Sequence, residues 1–194
     1  MSPITHFLMG WAVASSAPSL SKQERALVTW ASVVPDVDGL GIVAEVITRN
    51  SEHPLTWWTD YHHVLGHNLG FALVATIIAA AFAKQKAKTA LLVFLSFHLH
   101  LLGDLLGARG PDGDQWPIPY LLPFSGRLQL TWSGQWALNA WPNLLITGVL
   151  LAASFWFARK RGHSPLEIFS SRGDTVVVVA LRRRFPLKPQ GGNR

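Results

Sequence analysis

Five apolar segments, separated by polar or proline-containing stretches, constrain the fold of this 194-residue chain more than any other feature. They cover residues 4–17, 25–34, 68–83, 89–107 and 136–158. The segments are rich in Ala and Leu and lack strand-like alternation, so we predict helices throughout. Only the last has the length of about 20 residues that usually spans a bilayer, while 68–83 and 89–107 are borderline. Charged residues make up 14% of the chain, against about 25% in soluble domains, which indicates membrane association.

We therefore predict an all-α, antiparallel helical bundle that is embedded in or docked on a membrane. A long Pro- and Gly-rich loop, ARGPDGDQWPIPYLLPFSGRLQLTWSGQ, precedes the last long helix, in which Pro142 allows a kink. The segment DTVVVVALRRRF is ambiguous, because its valines favour a strand. Asp174, as an N-cap, favours a short helix, and we prefer the helix. The absence of cysteine excludes disulfides and thiolate metal sites, and the N-terminus lacks the basic region of a signal peptide.

Positive charge is concentrated at the end of the chain. Residues 159–194 contain nine Lys or Arg and two acids, whereas residues 1–158 contain eight and nine. We divide the chain into a helical metal-site bundle, 1–158, and a basic C-terminal tail, 159–194. The tail could bind nucleic acid, but it follows an apolar helix, so a cytoplasmic anchor near anionic lipid is the simpler interpretation.

Up-and-down packing of consecutive segments would sort the polar residues by type. Each His or Asp cluster falls at one end of the bundle and each basic loop at the other. The positive-inside rule places the basic end in the cytoplasm and the His/Asp end on the opposite side of an inner membrane. Six tryptophans fall near the His/Asp end, where they would lie at the membrane boundary, or alternatively cap a soluble core: Trp57, Trp58, Trp116, Trp132, Trp136 and Trp141.

Several of these polar residues have the spacing of metal ligands. His100 and Asp104 are four apart and share one helix face, whereas His98 lies about 200° from His100 and would satisfy the core or a neighbour. His63 and His67 are also four apart, and helix capping is the plainer alternative for them. The candidate ligands are His6, Asp36, Asp38, His62, His63, His67, His100 and Asp104.

The PDVDG stretch supplies two of these acids after Pro35. If the turn is extended, Asp36 and Asp38 project to opposite sides, so one could coordinate an ion and the other orient a histidine. An ordinary Asp-containing turn is the alternative.

The clusters together predict a bound cation, because isolated carboxylates among apolar helices cost several kcal/mol unless they are paired. Nitrogen and oxygen ligands suit zinc, with manganese or iron as alternatives, and their number allows two ions. A divalent ion activates water for attack on phosphorus or carbonyl centres. Asp36 or Asp38 could then act as general base, and Arg109 or Arg127 could hold a phosphate.

These motifs resemble those of the YdjM-type, inner-membrane-associated metal-dependent hydrolases. The matching stretches are PITHFLMG, VVPDVDGL, HHVLGHN, HLLGD and QWPIPYLLPF, in order across residues 3–124. The resemblance implies site roles for His6, Asp36, Asp38, His62, His67, His100 and Asp104. The third motif departs from the family pattern at His63, Gly66 and Asn68, which leaves His62 or His63 as the partner of His67. The ligand types are also similar to those of zinc-dependent phospholipase C, by analogy of the site alone.

We expect a hydrolase of a phosphoester in a lipid-like molecule, with the bilayer and a small or lipid substrate as partners and without nucleic acid. One alternative is a non-catalytic bundle whose metal site is structural or binds a partner. A second is a bis-histidine haem protein, using His98 or His100 opposite His62 or His63. Haem would leave Asp36, Asp38 and Asp104 unexplained.

Overall fold

The protein is all helical, as predicted. The computed structural model describes residues 1–110 and 113–187, which contain eight α-helices and no β-strand. Two 3₁₀ helices, Val34–Leu40 and Pro165–Ile168, complete the secondary structure of these residues. The α-helices are α1 Pro3–Ser16, α2 Lys22–Ala31, α3 Gly41–Thr48, α4 Trp57–Tyr61, α5 Leu69–Phe82, α6 Lys86–Gly107, α7 Trp141–Arg161 and α8 Ser171–Arg184.

The prediction was wrong about the start of the last long helix. Helix α7 begins at Trp141, and Pro142 occupies its first turn. A proline there removes no intrahelical hydrogen bond, so it starts the helix and does not kink it. Helices α3 and α4 were not predicted. Helix α4 has only five residues, too few to show a helical period.

Two local predictions also require correction. The PDVDG stretch forms a 3₁₀ helix, so Asp36 and Asp38 do not alternate as in an extended turn. The C-terminal valine run is helical, as preferred, but its N-cap is Ser170, whose hydroxyl accepts from Gly173 N. Asp174 instead accepts from the backbone N–H of Ser164 and ties α8 to the turn after α7.

Helices α1, α2 and α6 pack together, with α5 against α6 and α7 against α1. At the basic end of the bundle, Ser21 and Glu24 form a capping box at the start of α2. The buried Glu24 carboxylate also accepts from Gln85 N, before α6. Charge-assisted hydrogen bonds of this kind are stronger than neutral ones, so they fix α2 against α6 at this end.

The helices are long and apolar enough for a membrane protein. Helices α6 and α7 could each cross a bilayer, and α2 with the 3₁₀ helix and α3 could form a third span, bent by 53°. Large apolar side chains face outward on α5, α6 and α7, among them Ile77 (68% exposed), Leu91 (67%) and Leu144 (68%). Such a surface is stable in lipid and unfavourable in water.

A close approach between α1 and α2 occurs at Gly10. A Cβ atom there would overlap the hydroxyl of Ser32 and lie 2.7 Å from Thr29 O. Ser32 in turn donates its hydroxyl to His6 O, at 2.6 Å. The absence of a side chain at Gly10 therefore sets the distance between two segments that carry polar residues of the His/Asp end.

We expect Gly10→Ala to lower the free energy of unfolding by about 1–3 kcal/mol, because the extra methyl forces α1 and α2 apart. Gly148→Ala is the matched control: Gly148 lies within α7 with open space around it, so the same substitution should be neutral or stabilising. Thermal unfolding in detergent, followed by tryptophan fluorescence, measures both. Equal stability of the two variants would contradict the close packing.

Candidate metal centre

Four residues that are distant in sequence meet at the His/Asp end of the bundle. One ligand atom from each lies within 4.8 Å of the other three, and the residues are Asp36, His67, His100 and Asp104. Asp36 comes from the 3₁₀ helix after α2, His67 from the turn before α5, and the other two from adjacent turns of α6. The structure thus contains a buried His/Asp cluster that could hold a metal ion.

The two histidines of this cluster point their Nε2 atoms at each other. His67 Nε2 and His100 Nε2 are 3.1 Å apart, and His100 Nε2 lies 2.9 Å from Asp104 Oδ2. His100 Nδ1 lies 2.9 Å from the carbonyl oxygen of Ser32, which can only accept, so Nδ1 carries the proton. His67 Nδ1 lies 3.2 Å from Asp38 Oδ2, a carboxylate oxygen that also accepts, so this Nδ1 carries a proton as well. With an ion bound, both rings would be neutral and would direct their Nε2 lone pairs toward one point, as metal ligands do.

Asp38 orients the histidine turn from outside the four-residue cluster. Its Oδ1 pairs with His62 Nδ1 at 2.9 Å, and its Oδ2 pairs with His67 Nδ1 and accepts from Gly66 N. Asn68 caps α5 through Phe71 N. Its amide also donates back to the carbonyl groups of the turn, so the turn is held from both ends.

His6 approaches the cluster from α1. Its Nε2 lies 3.0 Å from Asp104 Oδ1, and its ring stacks on that of His100 with centroids 3.8 Å apart. The ammonium group of Met1 also contacts Asp104 Oδ1. The carboxylate of Asp104 thus already attracts one positively charged group.

His62 and His63 lie beside the cluster and not within the four-residue group. His62 stacks on Trp58 at 3.9 Å, and His63 stacks on His67 at 4.2 Å with the rings nearly parallel. His63 adopts a φ of +65°, which is uncommon for a residue other than glycine and indicates a local constraint. Burial and the neighbouring His67 lower the pKa of His63 to about 2, so its ring is neutral.

Buried atoms without partners show that the cluster fits a cation. Among the described residues, the following buried side-chain atoms at the site have no hydrogen-bond partner: His6 Nδ1, Asp36 Oδ2, His63 Nδ1 and Asp104 Oδ2. Unsatisfied carboxylate oxygens are costly among apolar helices, and an ion would satisfy them.

The long loop before α7 folds back over this end. Gln135 donates its side-chain amide to Asp104 O at 2.7 Å, and Trp136 N donates to Leu106 O at 3.0 Å. Tyr120 O accepts from Leu69 N, which fixes the loop to the start of α5. Sequence reasoning missed Ser32 and Gln135, because a lone serine or glutamine outside a motif carries no signal for a role of this kind.

His98 has a structural role, as its position on the helix suggested. Its Nδ1 lies 2.7 Å from Phe94 O and its Nε2 lies 2.9 Å from Tyr120 Oη. Both ring nitrogens are therefore engaged, which disfavours His98 as a haem ligand.

A comparison of His100→Ala with His98→Ala tests the metal centre. The two histidines lie on the same helix, but only His100 directs a nitrogen to the cluster. We expect elemental analysis of the purified protein to show a loss of bound metal in His100→Ala and native metal content in His98→Ala. Equal metal content in both variants would exclude this cluster as the binding site.

The ion-free centre should hold a proton on His67. Burial opposes the charged ring, but hydrogen-bonding contacts with Asp104 and Asp38 and their charges outweigh it and raise the pKa of His67 from 6.5 to about 9. Because the pKa is higher in the folded state, this proton stabilises the ion-free fold fully below pH 6.5, and the contribution is lost as the pH rises through about 9.

We therefore expect the melting temperature of chelator-treated protein to fall across this pH range, measured by tryptophan fluorescence. Zinc competes with the proton, so the zinc-loaded protein should not show this component. The variant His67→Gln is the control, and an identical fall in that variant would assign the effect to another group.

Comparison with known proteins agrees with the motifs. The profile of the YdjM inner membrane protein family matches residues 1–180, which include α1 to α7, the first ten residues of α8 and all of the cluster residues. A search of curated proteins found no match, and a search of solved structures found none either. The match covers nearly the whole chain and agrees with the candidate membrane spans, and the chain therefore belongs to the YdjM family of inner membrane proteins.

Proposed function

We propose that this protein is a metal-dependent hydrolase that acts on a phosphoester of a lipid-like substrate. The observation that carries the proposal is the convergence of His67 Nε2 and His100 Nε2, 3.1 Å apart, with carboxylates of Asp36 and Asp104 beside them. Two neutral imidazoles and two carboxylates suit zinc, and manganese or iron is an alternative. When bound, such an ion supplies activation of water near neutral pH.

A cavity of about 610 Å³ beside the cluster supports a lipid-like substrate. Asp36, His63 and Arg109 contribute polar groups to its wall, whereas Leu40 and Leu138 contribute apolar ones. A volume of this size accommodates a small-molecule ligand. The mixed lining suits a phosphate group attached to an apolar chain.

Arg109 is the group that we assign to phosphate binding. It lines the cavity, and its Nη2 donates to Ser133 O at 2.9 Å, which holds the side chain in place. Its Nε is buried and has no partner among the described residues, so it is free to donate. A guanidinium group recognises phosphate through paired N–H donors. Arg127, the other candidate in the loop, is exposed and does not line this cavity.

The general base is assigned to Asp36 in preference to Asp38. Both oxygens of Asp38 accept hydrogen bonds from His62, His67 and Gly66, so Asp38 serves to orient imidazoles. Asp36 lines the cavity, and its Oδ2 has no partner among the described residues. A carboxylate in that position could accept a proton from water that attacks the substrate.

The bundle would place this chemistry near one surface of the inner membrane. The last two turns of α6, a candidate span, supply His100 and Asp104 to the cluster, and the basic residues lie at the opposite ends of the helices. By the positive-inside rule, the basic end is cytoplasmic and the cluster faces the other side. A lipid could then reach the cavity without leaving the bilayer.

A structural metal site is the second candidate, and one observation favours it. His6, His67 and His100 are each 0% exposed, so the centre is enclosed on the side of the histidines. Structural zinc sites have closed coordination, whereas catalytic sites keep an open position. The candidate opening here is on the side of Asp36, the only one of the four cluster residues that is not fully buried.

Activity measurements on substituted proteins test the hydrolase. The protein, loaded with zinc, manganese or iron, would be assayed with phosphatidic acid and phosphatidylglycerol in mixed micelles and with bis(p-nitrophenyl) phosphate. We expect Asp36→Asn, compared with the native protein at equal metal content, to lower kcat by about 100-fold or more, since it removes the base. Arg109→Gln should raise KM about tenfold or more by removing a charged donor.

Arg127→Gln is the matched control, because it removes the same charge from the same loop away from the cavity, and its kinetics should be native. Unchanged kcat in Asp36→Asn would contradict the assignment of the base. Metal-dependent thermal stability without hydrolysis of any substrate would support the structural site instead.

A further inference from the structure

We propose that α8 forms a binding site for the headgroup of an anionic phospholipid at the basic end of the bundle. The site is independent of the hydrolase proposal and lies at the opposite end of the molecule from the metal centre. The site consists of an exposed apolar stripe on α8 and the arginines beside that stripe. Hydrogen bonds hold the helix at the level where α7 ends.

Helix α8 is attached to the basic end of the bundle. Arg182 Nε donates to Arg159 O at 3.0 Å, near the C-terminus of α7, and the Lys22 ammonium donates to Ser171 Oγ at 2.7 Å. Asp174 Oδ1 accepts from Ser164 N, just beyond the end of α7. Contacts at both ends of α8 are thus made with the basic ends of α2 and α7, so α8 lies across this end of the bundle.

The end of α7 indicates the depth of α8 in the membrane. Helix α7 is a candidate span whose last turn contains Arg159, Lys160 and Arg161, and it ends at Gly162 in the left-handed conformation. Basic residues at the end of a span lie among lipid headgroups. Helix α8, which is attached there, therefore lies at headgroup level.

The surface of α8 carries exposed valines beside arginines. Val178 is buried against the bundle, whereas Val176 and Val179 are 63% and 58% exposed. These two valines, with Thr175, Ala180, Arg183 and Arg184, line an open groove of about 730 Å³. Exposed valines next to arginines are typical of helices that lie in the membrane interface, with apolar side chains among the acyl chains and charged groups at the phosphates.

Acidic residues are few in this part of the chain. Only two acids lie beyond residue 158, and both are engaged: Glu167 pairs with Arg25 at 2.6 Å, and Asp174 accepts from Ser164 N. Among the described residues, no acidic side chain forms a salt bridge with Arg183 or Arg184. These two arginines are free to bind a phosphate group, and the apolar groove between them and Val176 favours a lipid over a polyanion that lacks an apolar part.

The absence of cysteine permits a direct test on the full-length protein. The substitution Val179→Cys introduces a single cysteine, which is labelled with an environment-sensitive fluorophore. The labelled protein is then placed in nanodiscs of phosphatidylcholine that contain some phosphatidylglycerol. Quenching is compared for spin-labelled phosphatidylglycerol and spin-labelled phosphatidylcholine. We expect stronger quenching by the anionic lipid, decreasing at high salt.

The double substitution Arg183→Gln/Arg184→Gln in this background should weaken the preference for phosphatidylglycerol by about fivefold for each arginine. Lys84→Gln/Lys86→Gln is the matched control, since it removes two exposed charges from the same end of the bundle, and it should retain the preference. Native metal content in both variants would show that the fold and the metal centre are intact.

Three outcomes would overturn the site: equal quenching by both lipids, an unchanged preference in Arg183→Gln/Arg184→Gln, or the same loss in the lysine control. Displacement of the spin-labelled anionic lipid by an oligonucleotide at physiological salt would also overturn it, in favour of a nucleic-acid site. None of these results depends on hydrolytic activity.

Discussion

The structure depends on how four polar side chains are accommodated inside a bundle whose outer surface is apolar. His67 and His100 are 0% exposed and Asp104 is 2% exposed, although Ile77 and Leu91 face outward. This inverts the arrangement of a soluble protein and requires that every buried charge be neutralised. The Met1 ammonium group and His6 Nε2 contact Asp104 Oδ1 and offset part of the charge. A cation could offset the rest at the oxygens of Asp36 and Asp104 that have no hydrogen-bond partner among the described residues.

The parts of the fold around the centre serve its geometry. Gly10 lets α1 and α2 approach, which places Ser32 where its carbonyl oxygen can orient His100. Gly66 lies against Pro35 so closely that a Cβ atom would overlap Pro35 O, and the histidine turn thereby reaches the 3₁₀ helix. Small residues at such contacts allow backbones to pack closely. The centre is therefore built by packing of backbones as much as by the ligands themselves.

The two ends of the bundle have separate chemistry. The His/Asp end combines the buried cluster with the cavity that Arg109 and Leu138 line, whereas the basic end carries α8 and the exposed arginines. A bilayer offers lipid at both of its surfaces, and therefore at both ends of the bundle. The anionic-lipid site on α8 would orient the protein, and the metal centre would act on the opposite side.

The sequence by itself determined the helical class, the approximate positions of α1, α2, α5 and α6, and the residue types of the site, because apolar runs and clustered histidines are local properties of the chain. It also indicated that His98 differs from His100, since two residues correspond to about 200° of helix. Only the tertiary structure decided that PDVDG is a 3₁₀ helix and that Asp38 orients His67 from outside the four-residue cluster. Only the tertiary structure showed that Ser32 O contacts His100 Nδ1 and that Gln135 donates its side-chain amide to Asp104 O. The contacts of Asp38, Ser32 and Gln135 join residues that are 29 to 68 positions apart in the chain, and such contacts leave no pattern in local sequence.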